Sequence, residues 1–236
     1  MRQRHIIKLH NTNKIKNAPF LKLLLKMVLA SNDLQATDSL FKLIDEKKKK
    51  DGKYKFELGH KQLIIRLQIS ILKEIIYGEF KRSKYIPGII ETIKEENSLN
   101  KILVKCSKRV QERFNNIYRC CKNQPDEHLF KQYIKSLRDK IGFHYDNKII
   151  LQAFESVLLR NEFFKIEIAN HISKWRFHFG DLITDEIVCS LWDIKYSERR
   201  VEEADKVASW IIARTRDYID FSGNFISTYL SYYAHA

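Results

Sequence analysis

The sequence predicts an all-α protein, a helical bundle with long core helices and a small irregular insert around residues 161–180. The 236 residues include only 7 glycines and 3 prolines, so few tight turns are available. Apolar residues recur at steps of three and four over long stretches, which is the spacing of one helix face. No internal repeat or flexible linker is visible, and we therefore predict a single helical domain over residues 18–236.

The N-terminal fifth of the chain predicts a basic arm and two helices. Residues 1–17 are rich in lysine, arginine and asparagine and form the predicted arm. The first helix runs over residues 18–30, because proline is well tolerated in a first helical turn. Polar residues at 31–33 or 37–39 can cap the second helix. The charged run 47–52 predicts a loop.

The middle of the chain predicts two long helices with a short one between them. The apolar spacing predicts a helix over residues 58–80, and a short helix over 89–94 follows Pro87-Gly88. Residues 98–121 predict a second long helix. Its outer face carries a basic stripe made of Lys101, Lys105, Lys108, Arg109, Arg113 and Arg119. Such a stripe can contact a phosphate backbone, with Arg109 and Arg113 as predicted substrate contacts, although a solvated face is the default explanation.

The second half of the chain predicts further helices and the insert. Proline and two acids over residues 123–127 indicate a helix start, which the helix dipole favours. Residues 161–179 are less regular and fit a small hairpin or a loop insert. Gly223 predicts a break near the C-terminus. The other predicted helices cover residues 146–160, 181–194 and 197–218, and residues 225–233 predict a final aromatic-rich turn or short helix.

The charge of the chain favours a polyanionic partner. Lysine and arginine number 43 against 29 acids, which gives a net charge of +14. Contacts to phosphates gain free energy from counterion release, although a lysine-rich soluble surface explains the charge equally well. No apolar run approaches the roughly 20 residues of a membrane span. We therefore expect a cytoplasmic protein without stable membrane insertion.

The sequence predicts neither a metal site nor a cofactor. The four cysteines lack zinc-finger spacing and are expected to be reduced thiols, in the core or incidental. Asp181, Asp185 and Glu186 lie near His171 and His178 in sequence, but helix caps and surface acids explain them better than a divalent ion does. The phosphate-loop, nucleophile-elbow, zincin and dinucleotide-binding motifs are absent from the sequence.

One segment of eleven residues, Ser136 to Asp146, concentrates the side chains that could do chemistry. Arg138 can neutralise a phosphate through its fork of donors and keeps its charge at any working pH. His144 can give and take a proton near neutrality. Together the two suit phosphodiester cleavage, in which a ribose 2′-hydroxyl loses a proton while the phosphate is held. This segment is therefore the predicted active site.

The same segment resembles the motif of a known family. Leu137-Arg138-Asp139-x4-His144 resembles the R-x4-6-H signature of HEPN domains. Residues 141–146 resemble a short sequence motif of bacterial, HEPN-like abortive-infection proteins. The helical layout of about 58–160 is similar to a HEPN core. The resemblance implies a homodimer in which two motifs face each other. It also implies a metal-independent endoribonuclease of a toxin–antitoxin or phage-defence system, with RNA (tRNA among the candidates) and a cognate antitoxin or defence protein as partners.

The resemblance also implies a role for each residue of the motif. Arg138 would bind the scissile phosphate, and His144 would act as general base or acid, with the matching histidine of the second subunit completing the proton transfers. Asp139 would orient either Arg138 or His144, while Tyr145 and Lys140 would contact RNA. An alternative stays open. In a non-catalytic helical module that binds nucleic acid or protein, His144 would be a buried, hydrogen-bonded residue.

Overall fold

The computed structural model describes residues 19–51, 57–81, 84–142, 146–160, 166–167 and 176–235, and it confirms the all-α prediction. The predicted basic arm, residues 1–17, lies outside the described residues. The helices are α1 (Leu21–Asp51), α2 (Glu57–Ile76), α3 (Ile89–Glu95), α4 (Asn97–Lys105), α5 (Lys108–Tyr118), α6 (Glu127–Phe130, continued by π-helical turns over Lys131–Lys135 and Arg138–Gly142), α7 (Asn147–Leu159), α8 (His178–Leu191) and α9 (Arg200–His235).

Two short antiparallel hairpins accompany the helices. Strand β1 (Glu79–Lys81) pairs with β2 (Lys84–Ile86), and β3 (Ile166–Glu167) pairs with β4 (Arg176–Phe177). The second hairpin lies where the sequence predicted a small insert. The first was missed, because the apolar spacing of α2 was extended to residue 80. The helix ends at Ile76, and the backbone of Gly78 then approaches the carbonyl of Ile86 too closely for any β-carbon.

The described residues form two compact units, and each is considered by itself. Unit 1 holds the described residues of 1–36, 74–127 and 214–236, and unit 2 holds those of 37–73 and 128–213. The boundary at residue 127 falls inside the segment that resembles a HEPN core. The single domain over residues 18–236 stays a prediction.

The largest fully buried side chains of unit 1 include several aromatic residues. Phe221 of α9 packs against Phe114 of α5 and against Phe225, with ring centroids 5.1 and 5.3 Å apart. Tyr218 is fully buried, and its hydroxyl donates to the backbone carbonyl of Met27 at 3.4 Å. Burying a phenol with a hydrogen-bond partner avoids most of the desolvation penalty. The second half of α9 is therefore the central helix of this unit.

The core of unit 2 is organised around Trp192 and helix α6. The indole nitrogen of Trp192 donates to the carbonyl of Tyr133 at 3.1 Å, and the Trp192 carbonyl accepts from the Gln132 amide at 3.1 Å. The Tyr133 ring packs edge-on against both Trp192 and Trp210. These paired polar groups fix the position of α6, the helix that carries the predicted motif.

The N-terminal prediction of two helices and a loop was wrong, because α1 is one helix of 31 residues through Asp51. The residues expected to cap a second helix instead bind side chains of other helices. In unit 1, the Ser222 hydroxyl donates to Ser31 Oγ at 3.0 Å. In unit 2, the Gln68 amide donates to Thr37 Oγ1 at 3.3 Å. A serine or threonine satisfied in this way no longer competes for its own backbone, so the helix continues.

The predicted helix over residues 98–121 is in fact two helices. Cys106 and Ser107 interrupt it, and the Ser107 hydroxyl accepts from Val110 N at 3.4 Å as the N-cap of α5. The amide of Gln111 donates to the free carbonyls of Val104 and Cys106 at 3.1 and 2.8 Å. These side chains satisfy the backbone groups that the break exposes.

The predicted break at Gly223 was also wrong, since α9 runs without interruption through His235. Replacing Gly223 by alanine is expected to raise the free energy of unfolding by about 1 kcal/mol, because alanine costs less backbone entropy in a helix. Gly223 is exposed, and a β-carbon there would meet no atom within 4 Å. Urea denaturation measures the change.

Gly88→Ala is the matched control for Gly223→Ala. A β-carbon at Gly88 would lie 2.7 Å from the carbonyl oxygen of Ile76. We therefore expect this substitution to destabilise the protein. A Gly223→Ala protein less stable than wild type would show that the helix does not continue through this position.

All four cysteines are buried free thiols, and burial is the first cause that raises the pKa of each. It raises the pKa of Cys189 to about 11 and that of Cys120 to about 12. Since the thiolate is the reactive form, we expect the native protein to react slowly with a thiol reagent at pH 8, and the urea-unfolded protein to expose four fast thiols. A rapidly reacting thiol in the native protein would contradict the burial.

Candidate functional site

Helix α6 carries the predicted motif and is anchored by its apolar face. Phe130, Ile134 and Leu137 are fully buried. After its first turn the helix widens into π-helical turns over Lys131–Lys135 and again over Arg138–Gly142. Such turns are rare and occur often at functional sites. The second of them contains the arginine and the carboxylate of the motif.

Arg138 and Asp139 are in contact at the partly exposed end of α6. The Arg138 side chain is 32% exposed, and its Nη1 lies 3.4 Å from Asp139 Oδ1. The other oxygen of Asp139 accepts from Lys135 Nζ at the shorter distance of 2.8 Å. Asp139 therefore bridges two cations, and its tighter bond is to the lysine. The contact is compatible with the orienting role that the motif implies for Asp139.

Lys140 and Asp146 are joined by an ion pair and by a backbone hydrogen bond. Lys140 Nζ lies 3.3 Å from Asp146 Oδ2, and the Lys140 carbonyl accepts from the Asp146 backbone nitrogen at 3.2 Å. Asp146 Oδ1 also accepts from the backbone nitrogens of Lys148 and Ile149, so Asp146 is the predicted N-cap of α7. The bond from Ile149 and then that from Lys140 lower the pKa of Asp146. This carboxylate is therefore held as an anion.

Two of the predicted site residues, His144 and Tyr145, lie outside the described residues. The structure places Arg138, Asp139 and Lys140 of the motif on one helix end. The roles of His144 as acid or base and of Tyr145 as an RNA contact stay predictions.

The two arginines predicted to contact substrate are engaged with carboxylates of α9. Arg109 donates twice to Asp220 Oδ2, at 2.7 and 3.1 Å. Arg113 Nη1 lies 2.8 Å from Oδ1 of Asp217, which is only 5% exposed. Both pairs belong to unit 1, whereas Arg138 belongs to unit 2. In the structure these arginines hold α5 against α9.

The lysines of the basic stripe differ from its arginines. Lys101, Lys105 and Lys108 form no ion pair within the described part of the chain, whereas Arg109, Arg113 and Arg119 all do. Lys101 and Lys105 line a groove of about 420 Å³ together with Tyr232 and Tyr233. The sequence did not predict this pairing of lysines with tyrosines, because the two groups are about 130 residues apart in the chain. The one signal in the sequence is the clustering of aromatic residues over 225–233.

Two of the three acids considered as possible metal ligands, Asp185 and Glu186, are bound by arginines. Arg200 Nη2 lies 3.0 Å from Asp185 and 2.9 Å from Glu186, and Arg160 also pairs with Glu186 at 2.9 Å. Burial raises the pKa of Asp185, and Arg200 opposes that shift. No group of three or more histidine, cysteine or acidic residues within the described ranges could hold a metal ion.

No described helix combines the length and the apolarity needed to cross a membrane. Comparison of the chain with protein-family models, with curated proteins and with solved structures finds no match. Function is therefore inferred from the chemistry of the sites described above and from the resemblance of the motif.

Proposed function

We propose that this protein is a HEPN-like, metal-independent endoribonuclease of a bacterial toxin–antitoxin or phage-defence system, active as a homodimer. The observation that carries the proposal is the placement of Arg138. Its side chain is one-third exposed at the end of a helix whose apolar face is buried, and its guanidinium contacts the carboxylate of Asp139. An arginine supported in this way can bind a phosphate through two parallel hydrogen bonds.

The proposed reaction needs one phosphate ligand and two proton transfers. His144 takes the proton of a ribose 2′-hydroxyl, and the resulting oxygen attacks the neighbouring phosphorus. The bond to the 5′-oxygen breaks, and the matching histidine of the second subunit protonates that oxygen. The products are a 2′,3′-cyclic phosphate and a 5′-hydroxyl. Arg138 stabilises the charge that develops on the phosphate oxygens.

The proposal is tested by incubating total RNA and tRNA with the purified full chain in EDTA. Wild type is compared with Arg138→Ala and with the matched control Arg199→Ala. Arg199 is 75% exposed, and its one ion pair among the described residues, with Glu202, is 3.7 Å long. Cleavage by wild type and Arg199→Ala, but not by Arg138→Ala, supports the proposal. Cleavage that persists in Arg138→Ala contradicts it.

A second candidate function is a non-catalytic module that binds nucleic acid. It is favoured by the lysines of the basic stripe that form no ion pair among the described residues and by the groove that they line with tyrosines. Under this function wild type, Arg138→Ala and Arg199→Ala would all leave RNA intact and would bind it equally well. The cleavage assay, followed by a binding assay on the same proteins, separates the two functions.

A further inference from the structure

We infer that the groove between α4 and the C-terminal end of α9 in unit 1 binds a single-stranded segment of nucleic acid. Its phosphates contact Lys101 and Lys105, and one base stacks on Tyr232. The inference deepens the proposed function, since it takes RNA as the partner, but it does not depend on cleavage. It concerns residues of unit 1 alone.

The groove carries the positive charges of Lys101 and Lys105. Lys101 and Lys105 lie one helical turn apart on the exposed face of α4, which separates their Cα atoms by roughly 6 Å. Neither forms an ion pair in the described ranges, although carboxylates of α9 neutralise Arg109 and Arg113 nearby in the chain. Ammonium groups without a carboxylate partner can exchange their counterions for phosphates, which favours binding of a polyanion.

The groove has an aromatic wall. Tyr232 is 44% exposed, and Lys105 Nζ lies over one face of its ring, 4.0 Å from the centroid, so the base stacks on the opposite face. The Tyr233 ring supports Tyr232 from the side at 5.2 Å, and Tyr233 packs on the buried Tyr229 at 4.6 Å. A supported, exposed ring next to a cation offers a base a stacking surface and its phosphate a counter-charge.

The groove is large enough for a nucleotide. Its volume of about 420 Å³ can take a nucleotide-sized group. Glu96 lies at one end and repels phosphate there, so the backbone is expected to follow the lysine side. A duplex hides its base faces in the stack, whereas a single strand can present one to Tyr232. The groove therefore fits a single strand better than a duplex.

The test measures binding of a fluorescein-labelled 12-nucleotide 2′-O-methyl oligouridine to the full chain by anisotropy. This probe has no 2′-hydroxyl proton and cannot be cleaved by the proposed reaction. We expect Tyr232→Ala to weaken binding roughly 5- to 150-fold, as loss of one stacked base does, and Tyr232→Phe to restore it. Affinity falls as salt rises, and Lys101→Ala should make the slope of log affinity against log salt less negative by about 0.7, the value for one phosphate contact of a single strand.

Further variants and probes sharpen the test. Glu96→Gln should tighten binding, because it removes a repelling charge. Lys195→Ala is the charge-matched control, because Lys195 is exposed and does not line the groove. An abasic oligonucleotide of the same length should bind more weakly than oligouridine, and a 12-residue polyglutamate should not displace the oligouridine.

Several results would overturn the inference. They are no binding by wild type, equal affinity of Tyr232→Ala and wild type, equal binding of the abasic probe, and displacement by polyglutamate. The outcome is separate from that of the cleavage assay. Loss of groove binding with cleavage intact rejects only the groove. Groove binding without any cleavage rejects only the nuclease.

Discussion

Replacing His144 by alanine is expected to lower RNA cleavage about 10²- to 10⁴-fold, the usual contribution of a positioned acid or base. The 2′-hydroxyl is a weak nucleophile until its proton is removed, and the leaving 5′-oxygen needs a proton in return. With one histidine from each subunit, the rate should show a bell-shaped dependence on pH near neutrality. The measurement is the initial rate of cleavage of a labelled RNA in EDTA between pH 5 and 9.

Two companion variants show which property of the motif matters. Arg138→Lys keeps the positive charge but loses the planar fork of donors, so its rate should fall between those of wild type and Arg138→Ala. His128→Ala is the matched control, because His128 is an exposed histidine at the start of the same helix, α6. Equal cleavage by wild type and His144→Ala would show that His144 transfers no proton in the reaction.

Replacing Glu91 by alanine is expected to lower the free energy of unfolding by at least about 3 kcal/mol, because three donors lose their acceptor and each unsatisfied buried donor costs about 1–3 kcal/mol. Glu91 is 4% exposed on α3. Its Oε2 accepts from the Tyr85 hydroxyl at 2.6 Å and from Gly88 N at 2.9 Å, and its Oε1 accepts from Lys122 N at 3.3 Å. The substitution leaves three donors without their acceptor. Urea denaturation followed by circular dichroism measures the loss.

Two variants test whether the effect comes from the buried network. Glu95→Ala removes an exposed carboxylate one turn later on α3 and should change stability little. Tyr85→Phe removes one donor and should give a smaller loss than Glu91→Ala. Burial and the bond to Glu91 both raise the pKa of Tyr85, so this phenol stays protonated where it donates. Similar losses for Glu91→Ala and Glu95→Ala would show that the network adds no stability.

Elements that depend on neighbours in sequence were predicted well. The helix after Asp146 begins where predicted, because the cap and the backbone nitrogens that it binds are three residues apart or fewer. The short helix Ile89–Glu95 and the buried stripe of α6 also agree with the apolar spacing. In each case the side chain that decides the local conformation lies within one or two turns of it.

Predictions of helix ends failed where a residue distant in sequence bound a polar side chain, or where packing outweighed the local helix propensity. Ser31 and Thr37 resemble caps in sequence, but Ser222 and Gln68 bind them, so α1 continues. Gly223 resembles a break, but the buried aromatic residues on both sides of it keep α9 helical. Packing of an apolar face contributes more than the intrinsic propensity of one residue.

For the candidate sites, the sequence alone determined which charged and titratable side chains are present. The tertiary structure decided which of them are bound by other side chains. The spacing of Arg138 and His144 and the excess of basic residues follow from the order of residues. The sequence could not separate Arg109 and Arg113 from Lys101 and Lys105, because all four lie on one basic stripe. The structure separates them, since Asp217 and Asp220 come from a helix about 100 residues away and reach only the arginines. Neutralisation of a charge depends on distance in space, which the order of residues does not give.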